Sequence, residues 1–495
     1  MRGLLVAGTA SDAGKSVVTA GICRFLSRQG MKVAPFKAQN MSLNSVVTKD
    51  GAEISRAQVM QAAAAGVEPE AAMNPVLLKP GGSGTSQVVL LGKPVAETDA
   101  MGYATLKPRL AQAVLECLSD LENRFDAVIC EGAGSPAEIN LRAQDIANMG
   151  LARAVGLPVI IIGDIDRGGM LASAFGTLAL LSKDDQALVA GYVVNKFRGD
   201  FRLLQPGLDM LHALTGRPCL GVLPWLPGLL LDAEDSLALE ARPDTSTARP
   251  VGQDILRIAV VRLPRISNFT DLDALAAEPG VAVRFVTRPE EAADADLLIL
   301  PGSRATVTDL AWLRERGLAA AVAGRVAAGR PVLGICGGFQ MLSREIHDDV
   351  ESRAGVVPGL GLLPVTVRFG QEKILGRCGG VGLGAPVSGY EIRHGRVDIG
   401  GGDDFPGGCA SGAVWGTSWH GVFENDEFRR RMLRLVAAAA GRRFEPGRIC
   451  FHEVRQRRLD ALGDLIAGHM DISALLRLVE EGPPAGLPFI PPGAP

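Results

Sequence analysis

The feature that most restricts the fold is a turn: Gly8-Thr9-Ala10-Ser11-Asp12-Ala13-Gly14-Lys15-Ser16, set between the apolar stretch Leu4–Ala7 and the amphipathic stretch Val17–Arg28. A strand that ends in a glycine loop and enters a helix through Gly-Lys-Ser is a phosphate-binding loop in its working context. Loop N–H groups and the helix N-terminus converge there on anionic oxygens. Lys15 would reach the β/γ-phosphates and the Ser16 hydroxyl would ligate Mg²⁺, so Gly8, Thr9, Gly14, Lys15 and Ser16 are expected to bind ATP. Ligands of open parallel sheets sit at the carboxyl ends of the strands, so the N-terminal part is expected to be α/β.

Other apolar runs end in charge at the same edge. Phe125–Cys130 leads into Glu131-Gly132-Ala133-Gly134, which places Glu131 to face the Mg²⁺–phosphate site together with Ser16. Leu157–Gly163 ends in Asp164-Ile165-Asp166-Arg167, whose charges read equally as strand-end caps or as site residues. Glu53, in Gly51-Ala52-Glu53-Ile54-Ser55-Arg56, reads either as part of a solvated helix face or as a further Mg²⁺ ligand, since Mg²⁺ takes one or two carboxylates plus phosphate oxygens. Five residues separate Gly8 from Gly14 rather than four, a variant that resembles the dethiobiotin synthetase-like ligases. That resemblance implies a second phosphate-contacting lysine at Lys37 and a nucleotide-base contact at Asn195, in Asn195-Lys196.

A second sharp turn lies far downstream, in Pro331-Val332-Leu333-Gly334-Ile335-Cys336-Gly337-Gly338-Phe339. Gly-x-Cys-x-Gly at the end of an apolar run is the thiol form of a nucleophile elbow, with the sulfur exposed at a strand-to-helix corner. The following helix N-terminus favours thiolate. A base is needed, and Ser418-Trp419-His420-Gly421 supplies the best candidate, with His394 as its rival. Together the segments resemble the class I, triad-type glutamine amidotransferases. The resemblance implies Cys336 as nucleophile, His420 as base and an oxyanion hole from Gly302, in Pro301-Gly302-Ser303, and Gly337. Most members of that class carry Glu two residues after the histidine; here the position is Val422, with Glu424 off pattern, so the third member is not assigned.

Size and composition agree with two such units. A chain of 495 residues exceeds one core, and 47% apolar with 21% charged residues is globular. A net charge of −3 gives no reason to expect nucleic acid or an anionic membrane, and no stretch is long and apolar enough to span a bilayer. Eight cysteines without CxxC pairs argue against structural zinc and disulfides and, with a start that lacks a signal-peptide apolar region, point to the cytoplasm. The expected organisation is a P-loop ATP-dependent domain over 1–235, a Pro/Asp/Glu-rich linker over 236–254, an amidotransferase domain over 255–440, and a helical extension with a mobile Pro/Gly tail over 441–495. His452 and His469, in that charged extension, are expected to be solvated. The fold class is α/β, two mostly parallel sheets flanked by helices: a P-loop NTPase fold, then a flavodoxin-like amidotransferase fold.

The motif order narrows the resemblance. Lys37-Ala38-Gln39-Asn40-Met41-Ser42, Glu131-Gly132-Ala133-Gly134-Ser135-Pro136-Ala137-Glu138-Ile139-Asn140-Leu141, Asp164-Ile165-Asp166-Arg167-Gly168-Gly169 and Asn195-Lys196-Phe197-Arg198-Gly199-Asp200 precede the elbow. Nearly the whole chain resembles the cobyric acid synthase family. The resemblance implies ATP and Mg²⁺ as cofactors, and glutamine and a corrinoid, adenosylcobyrinic acid a,c-diamide, as partners. The activity it implies is amidation of the b, d, e and g carboxylates through an acyl phosphate. The alternatives are a cobyrinic acid a,c-diamide synthase, an enzyme amidating a cell-wall precursor, and, from another class, a partitioning-type P-loop ATPase switch.

Overall fold

Short runs of β-branched and aliphatic residues with no alternation form strands buried on both faces, and here they make two open sheets. The computed structural model describes residues 2–81, 84–226 and 250–494. The first sheet has six parallel strands in the order Cys219–Pro224, Val189–Phe197, Val159–Asp164, Gly3–Gly8, Ala127–Glu131, Val33–Phe36. The chain order reverses around Gly3–Gly8, which opens a crevice at the strand's carboxyl end. Apolar clusters cover both faces of this sheet.

The second sheet has seven strands, in the order Val281–Val286, Leu256–Val261, Leu297–Leu300, Val332–Ile335, Val414–Thr417, Gly408–Ser411, Asp403–Phe405. The first five are parallel, and the last two turn back antiparallel at the edge. Of the proposed linker, residues 236–249 lie outside the described residues.

Two antiparallel insertions meet between the sheets. The first domain contributes the ribbon Ser45–Val47 with Glu53–Ser55 and a small sheet carrying Val76–Pro80 and Ser86–Leu90. The second contributes the long hairpin Val365–Gly382 with Ala385–Ile399. Val46, Val47, Tyr390 and Ile392 form a shared apolar patch there. Polar links surround it: Ser45 N–H donates to Asn268 Oδ1 (2.9 Å), Arg377 Nε donates to the Val47 carbonyl (3.1 Å), and Arg56 pairs with Glu424 (2.6 Å).

The C-terminal extension does not stand apart. The helices Phe451–His469 and Ile472–Glu481 return to the first domain, where Leu459, Leu462 and Ile466 join the cluster that buries Ile22 and Leu26 of the helix Lys15–Arg28. Contact is close enough that a Cβ at Gly21 would lie 2.7 Å from Ile466 Cγ1 and 2.9 Å from the Leu462 carbonyl oxygen. Arg24 pairs with Asp460 (2.9 Å) and Arg28 with Asp464 (2.7 Å). The charged residues of the extension therefore include partners of the first domain, while His452 and His469 are exposed as expected. The terminal Pro/Gly segment is docked, contrary to the expected mobile tail. Ile490 is buried, its N–H donates to Gln186 Oε1 (2.8 Å), and its carbonyl accepts from Gln186 Nε2 (2.8 Å). Arg217 donates to the Pro488 carbonyl.

Candidate active site

Two sites form at the carboxyl edges of the two sheets. In the first, Gly14 takes φ 101°, a left-handed conformation open to glycine, as the loop enters the helix Lys15–Arg28. Thr9 N–H donates to the Ile162 carbonyl (2.9 Å), which ties the loop to the neighbouring strand. The Lys15 stem crosses Gly8, where a Cβ would sit 3.1 Å from Lys15 Cγ. Its ammonium donates to the carbonyls of Ala10 (3.1 Å) and Gly134 (3.0 Å).

Ser16 Oγ donates to Glu131 Oε1 (2.8 Å), and Lys37 Nζ lies 2.8 Å from the same oxygen. Gln61 Nε2 donates to the other oxygen, Oε2. Ser16 and Glu131 are thus brought together as expected, and Lys37 is ion-paired to the same carboxylate. A hydroxyl and a carboxylate in contact are hard-oxygen donors that fit Mg²⁺ alongside phosphate oxygens and water.

Glu53 is not part of this group. It is fully buried at the domain seam, with Lys79 Nζ 2.5 Å from one oxygen and Lys373 Nζ 2.5 Å from the other. Burial alone would raise its pKa, but the two lysines hold it well below the usual carboxylate range. The bond to two ammonium groups removes it from the metal-ligand set, and full burial removes it equally from a solvated face. Asn195 stands near the end of the strand Val189–Phe197, beside the loop. Its Nδ2 donates to the Ala13 carbonyl (2.9 Å) and its Oδ1 accepts from Lys196 N–H (2.9 Å), so it braces the loop from the adjoining strand. Asp164 is bound by Lys196 Nζ (2.7 Å), which also donates to the Asp12 carbonyl (3.1 Å). The strand-end charges form a rim around the loop.

In the second site Cys336 has φ 49° and ψ −105°, a strained backbone for a residue with a side chain, between the strand Val332–Ile335 and the short helix Gly337–Met341. The turn is held from two sides: Cys336 N–H donates to the Thr417 carbonyl (2.7 Å) and Gly338 N–H to the Pro301 carbonyl (3.0 Å). A Cβ at Gly338 would fall 1.9 Å from the Leu300 carbonyl oxygen, so no larger residue fits. Val332–Ile335 pairs in parallel with Val414–Thr417, and this adjacency brings His420, just past the second strand, to the sulfur.

His420 is 1% exposed and lines one cavity with Cys336, whose Sγ donates to the Ile392 carbonyl (3.8 Å). Its Nδ1 lies 2.7 Å from Asp271 Oδ2, while Asp271 Oδ1 accepts from Gly421 N–H (2.8 Å). Burial disfavours the charged ring, yet the charges of Asp271 and Cys336 outweigh it and raise the His420 pKa to about 10. The third member of the triad is therefore Asp271, from the turn Phe269–Leu272, 149 residues before His420. Val422, where the family pattern has Glu, is buried in the apolar core, and Glu424 is taken by Arg56 and Arg455 (3.1 Å).

The expected oxyanion segments also converge. A Cβ at Gly302 would lie 3.2 Å from His420 Cε1, and one at Gly337 would lie 2.7 Å from the Ser303 nitrogen. Gly302–Ser303 pairs antiparallel with Ile266–Ser267, so the same two-residue ladder that positions Gly302 also fixes the turn carrying Asp271. His394, the rival base, lines the same cavity but is bound to the Gly370 carbonyl (3.2 Å) and lies 3.4 Å from Gln87 Nε2. Burial, with Lys373 nearby, lowers its pKa to about 4, which keeps it neutral.

Sequence reasoning assigned no role to Asp271. The signal available was the polar cluster Ser267-Asn268-Phe269-Thr270-Asp271, which resembles a family segment near the glutamine and acceptor sites.

Comparisons with known proteins agree with this division. Residues 4–237 match the family described as the CobQ/CobB/MinD/ParA nucleotide binding domain, and residues 257–428 match the CobB/CobQ-like glutamine amidotransferase domain. The cobyric acid synthase of Frankia casuarinae is 66% identical, over 99% of this chain and 99% of its own. Those of Streptomyces avermitilis and Streptomyces coelicolor are each 65% identical, over 100% of this chain and 99% of theirs. With a nucleotide-binding domain, an amidotransferase domain and full-length identity at this level, the chain belongs to the cobyric acid synthase family of enzymes.

Proposed function

We propose that the chain transfers ammonia from glutamine to the b, d, e and g carboxylates of adenosylcobyrinic acid a,c-diamide, with ATP as the activating reagent. The observation that carries this is the presence in one chain of a Cys336–His420–Asp271 triad and a phosphate loop whose Ser16 meets Glu131. The acceptor follows from the resemblance to the family.

At the elbow, Cys336 Sγ attacks the carboxamide carbon of glutamine. The oxygen's developing charge is met by backbone N–H groups at Gly302 and Gly337. His420, held protonated by Asp271, gives its proton to the leaving nitrogen, so ammonia departs and a thioester remains. Water, deprotonated by His420, then releases glutamate and restores the thiolate and the imidazolium. At the phosphate loop the acceptor carboxylate takes the γ-phosphoryl group of ATP, leaving ADP. Ammonia displaces phosphate from the acyl phosphate to give the amide. Lys15 neutralises charge on the transferred group, and the loop N–H groups orient the phosphates. Ser16 and Glu131 would hold Mg²⁺, which supplies charge neutralisation on the phosphate oxygens.

The test is incubation with glutamine, ATP and candidate corrinoids, with mass spectrometry of the acceptor. The expected result is stepwise conversion of four carboxylates to amides on the a,c-diamide. Glutamate release without any mass change on that acceptor would reject the assigned substrate.

A further inference from the structure

The helix Arg56–Ala65 turns polar side chains inward: Arg56, Gln58 and Gln61 are all buried. Gln58 Oε1 accepts from Asn40 Nδ2 (3.1 Å), and Gln61 reaches Glu131. The two oxygens of that fully buried carboxylate are held differently. Oε1 accepts from the Ser16 hydroxyl (2.8 Å) and the Lys37 ammonium (2.8 Å), whereas Oε2 accepts from the Gln61 amide. The Gln61 amide oxygen is itself buried and has no hydrogen-bond partner among the described residues. Reversing the amide would set that oxygen against the carboxylate, two acceptors in contact, so Glu131 dictates which end faces it. A buried acceptor left unmet is costly, so packing alone does not account for a glutamine here.

We propose that Gln61 restricts Glu131 to one-oxygen coordination of the metal ion and so selects Mg²⁺ over Ca²⁺ at the phosphate loop. The inference rests on reading Ser16 and Glu131 as the Mg²⁺ ligands. Oε1 is the oxygen beside the Ser16 hydroxyl, so a cation between the two residues meets Oε1. Oε2 is engaged by a donor that a cation could displace only by stranding the amide N–H in the interior along with the amide oxygen. Mg²⁺ demands about six ligands in near-ideal octahedral geometry, which a single carboxylate oxygen suits, whereas Ca²⁺ takes about six to eight oxygens and accepts both oxygens of one carboxylate. Because the amide is neutral, it restrains Oε2 without cancelling the negative charge, which stays available to the metal. Gln61 is therefore a positioning residue that acts through Glu131.

The experiment measures divalent-ion affinity on full-length protein with a non-hydrolysable ATP analogue, adenylyl imidodiphosphate. Mn²⁺ binding is followed by loss of the free ion's electron paramagnetic resonance signal, and Mg²⁺ and Ca²⁺ are titrated in as competitors. Gln61→Met keeps side-chain length and loses the donor. Its Mg²⁺ affinity should fall about 10-fold, the lower end for loss of a partner behind a metal ligand, with Ca²⁺ affinity unchanged or raised. The ratio of Ca²⁺ to Mg²⁺ affinity therefore rises about 10-fold or more, a shift that general damage to the helix would not produce. Gln61→Asn, too short to reach Glu131, gives the same shift and carries the comparison if Gln61→Met does not fold. An unchanged ratio, whether both ions weaken equally or neither weakens, overturns the proposal. Mn²⁺ binding that keeps full strength in Glu131→Gln overturns the metal-site reading, and this inference with it.

Discussion

The two strand-end sites solve one geometric problem in opposite ways. Both stand where a parallel strand turns into a helix, and both draw on a neighbouring strand of the same sheet. At the phosphate loop the left-handed backbone falls on Gly14, which has no side chain, and on Asp12, a residue type that tolerates it, while Lys15 and Ser16 lie in ordinary helix. At the elbow the strain falls on Cys336 itself. A loop that binds a large anion needs many converging N–H groups, so no single side chain must stand proud. A nucleophile needs one atom in the open, and the backbone beneath it carries the cost. Both sites are assembled from separated segments, Cys336 with His420 and Asp271 at the elbow and Ser16 with Lys37 and Glu131 at the loop.

The sharpest break between the two sites is Cys336→Ala. Glutamine-dependent amidation should fall by about 10⁴-fold or more, as for loss of a nucleophile that acts as a unit with its base. Synthesis from high ammonium should persist, and product formation with each nitrogen source checks it. Equal loss with ammonium would mean that the two sites are not chemically separate.

Asp271→Asn should lower the glutaminase kcat by about 10²–10⁴-fold by disturbing the imidazole, with glutamate release as the assay. The same variant tests the electrostatics. Because the folded-state pKa of His420 is raised to about 10, its contribution to stability is complete below the ordinary histidine value of about 6.5. That contribution is lost as pH rises through about 10. Melting curves at several pH values should therefore show the gap between wild type and Asp271→Asn widest near pH ~6.5 and closing above pH ~10. A gap independent of pH would remove the charged His420–Asp271 pair from the account.

Lys15→Ala should reduce amidation with either nitrogen source by about 10²–10³-fold, the scale for loss of one charge-stabilising group. ATP-dependent product formation with ammonium is the measurement, and a normal rate would separate Lys15 from phosphoryl transfer. The smallest effect is expected at Gly21→Val, which forces the C-terminal helix away from the helix behind the loop. A loss of about 1–3 kcal/mol in denaturant unfolding is expected, with the ratio of glutamine- to ammonium-driven rates unchanged. No loss would show that the helix pair relaxes freely.

The phosphate loop and the elbow were legible because each is written in contiguous residues whose order is its geometry. Glu131 was legible because it closes an apolar strand at the edge where the loop must lie. Asp271 was not, because its partner is 149 residues away and the ladder joining Ile266–Ser267 to Gly302–Ser303 has no local pattern. Glu53 was misread because its partners, Lys79 and Lys373, come from two other elements and one of them from the other domain. An acidic residue beside an arginine looks the same in sequence whether it faces a metal, solvent or two buried lysines. The C-terminal helices carry enough charge to read as exposed, and their apolar stripe names no partner.

The return of those helices also sets a schedule for synthesis. The helix Lys15–Arg28 leaves the ribosome early, but the residues that cover its outer face begin only at Phe451. At ~5–20 residues per second, roughly 20 to 80 seconds of translation separate the two. Through that interval Gly21 and Arg24 lack Leu462, Ile466 and Asp460, which later pack against them, while the whole amidotransferase domain is being made. The first domain to be started is thus the last to be finished, and a nascent chain cut short before Phe451 leaves the outer face of the helix behind its nucleotide loop uncovered.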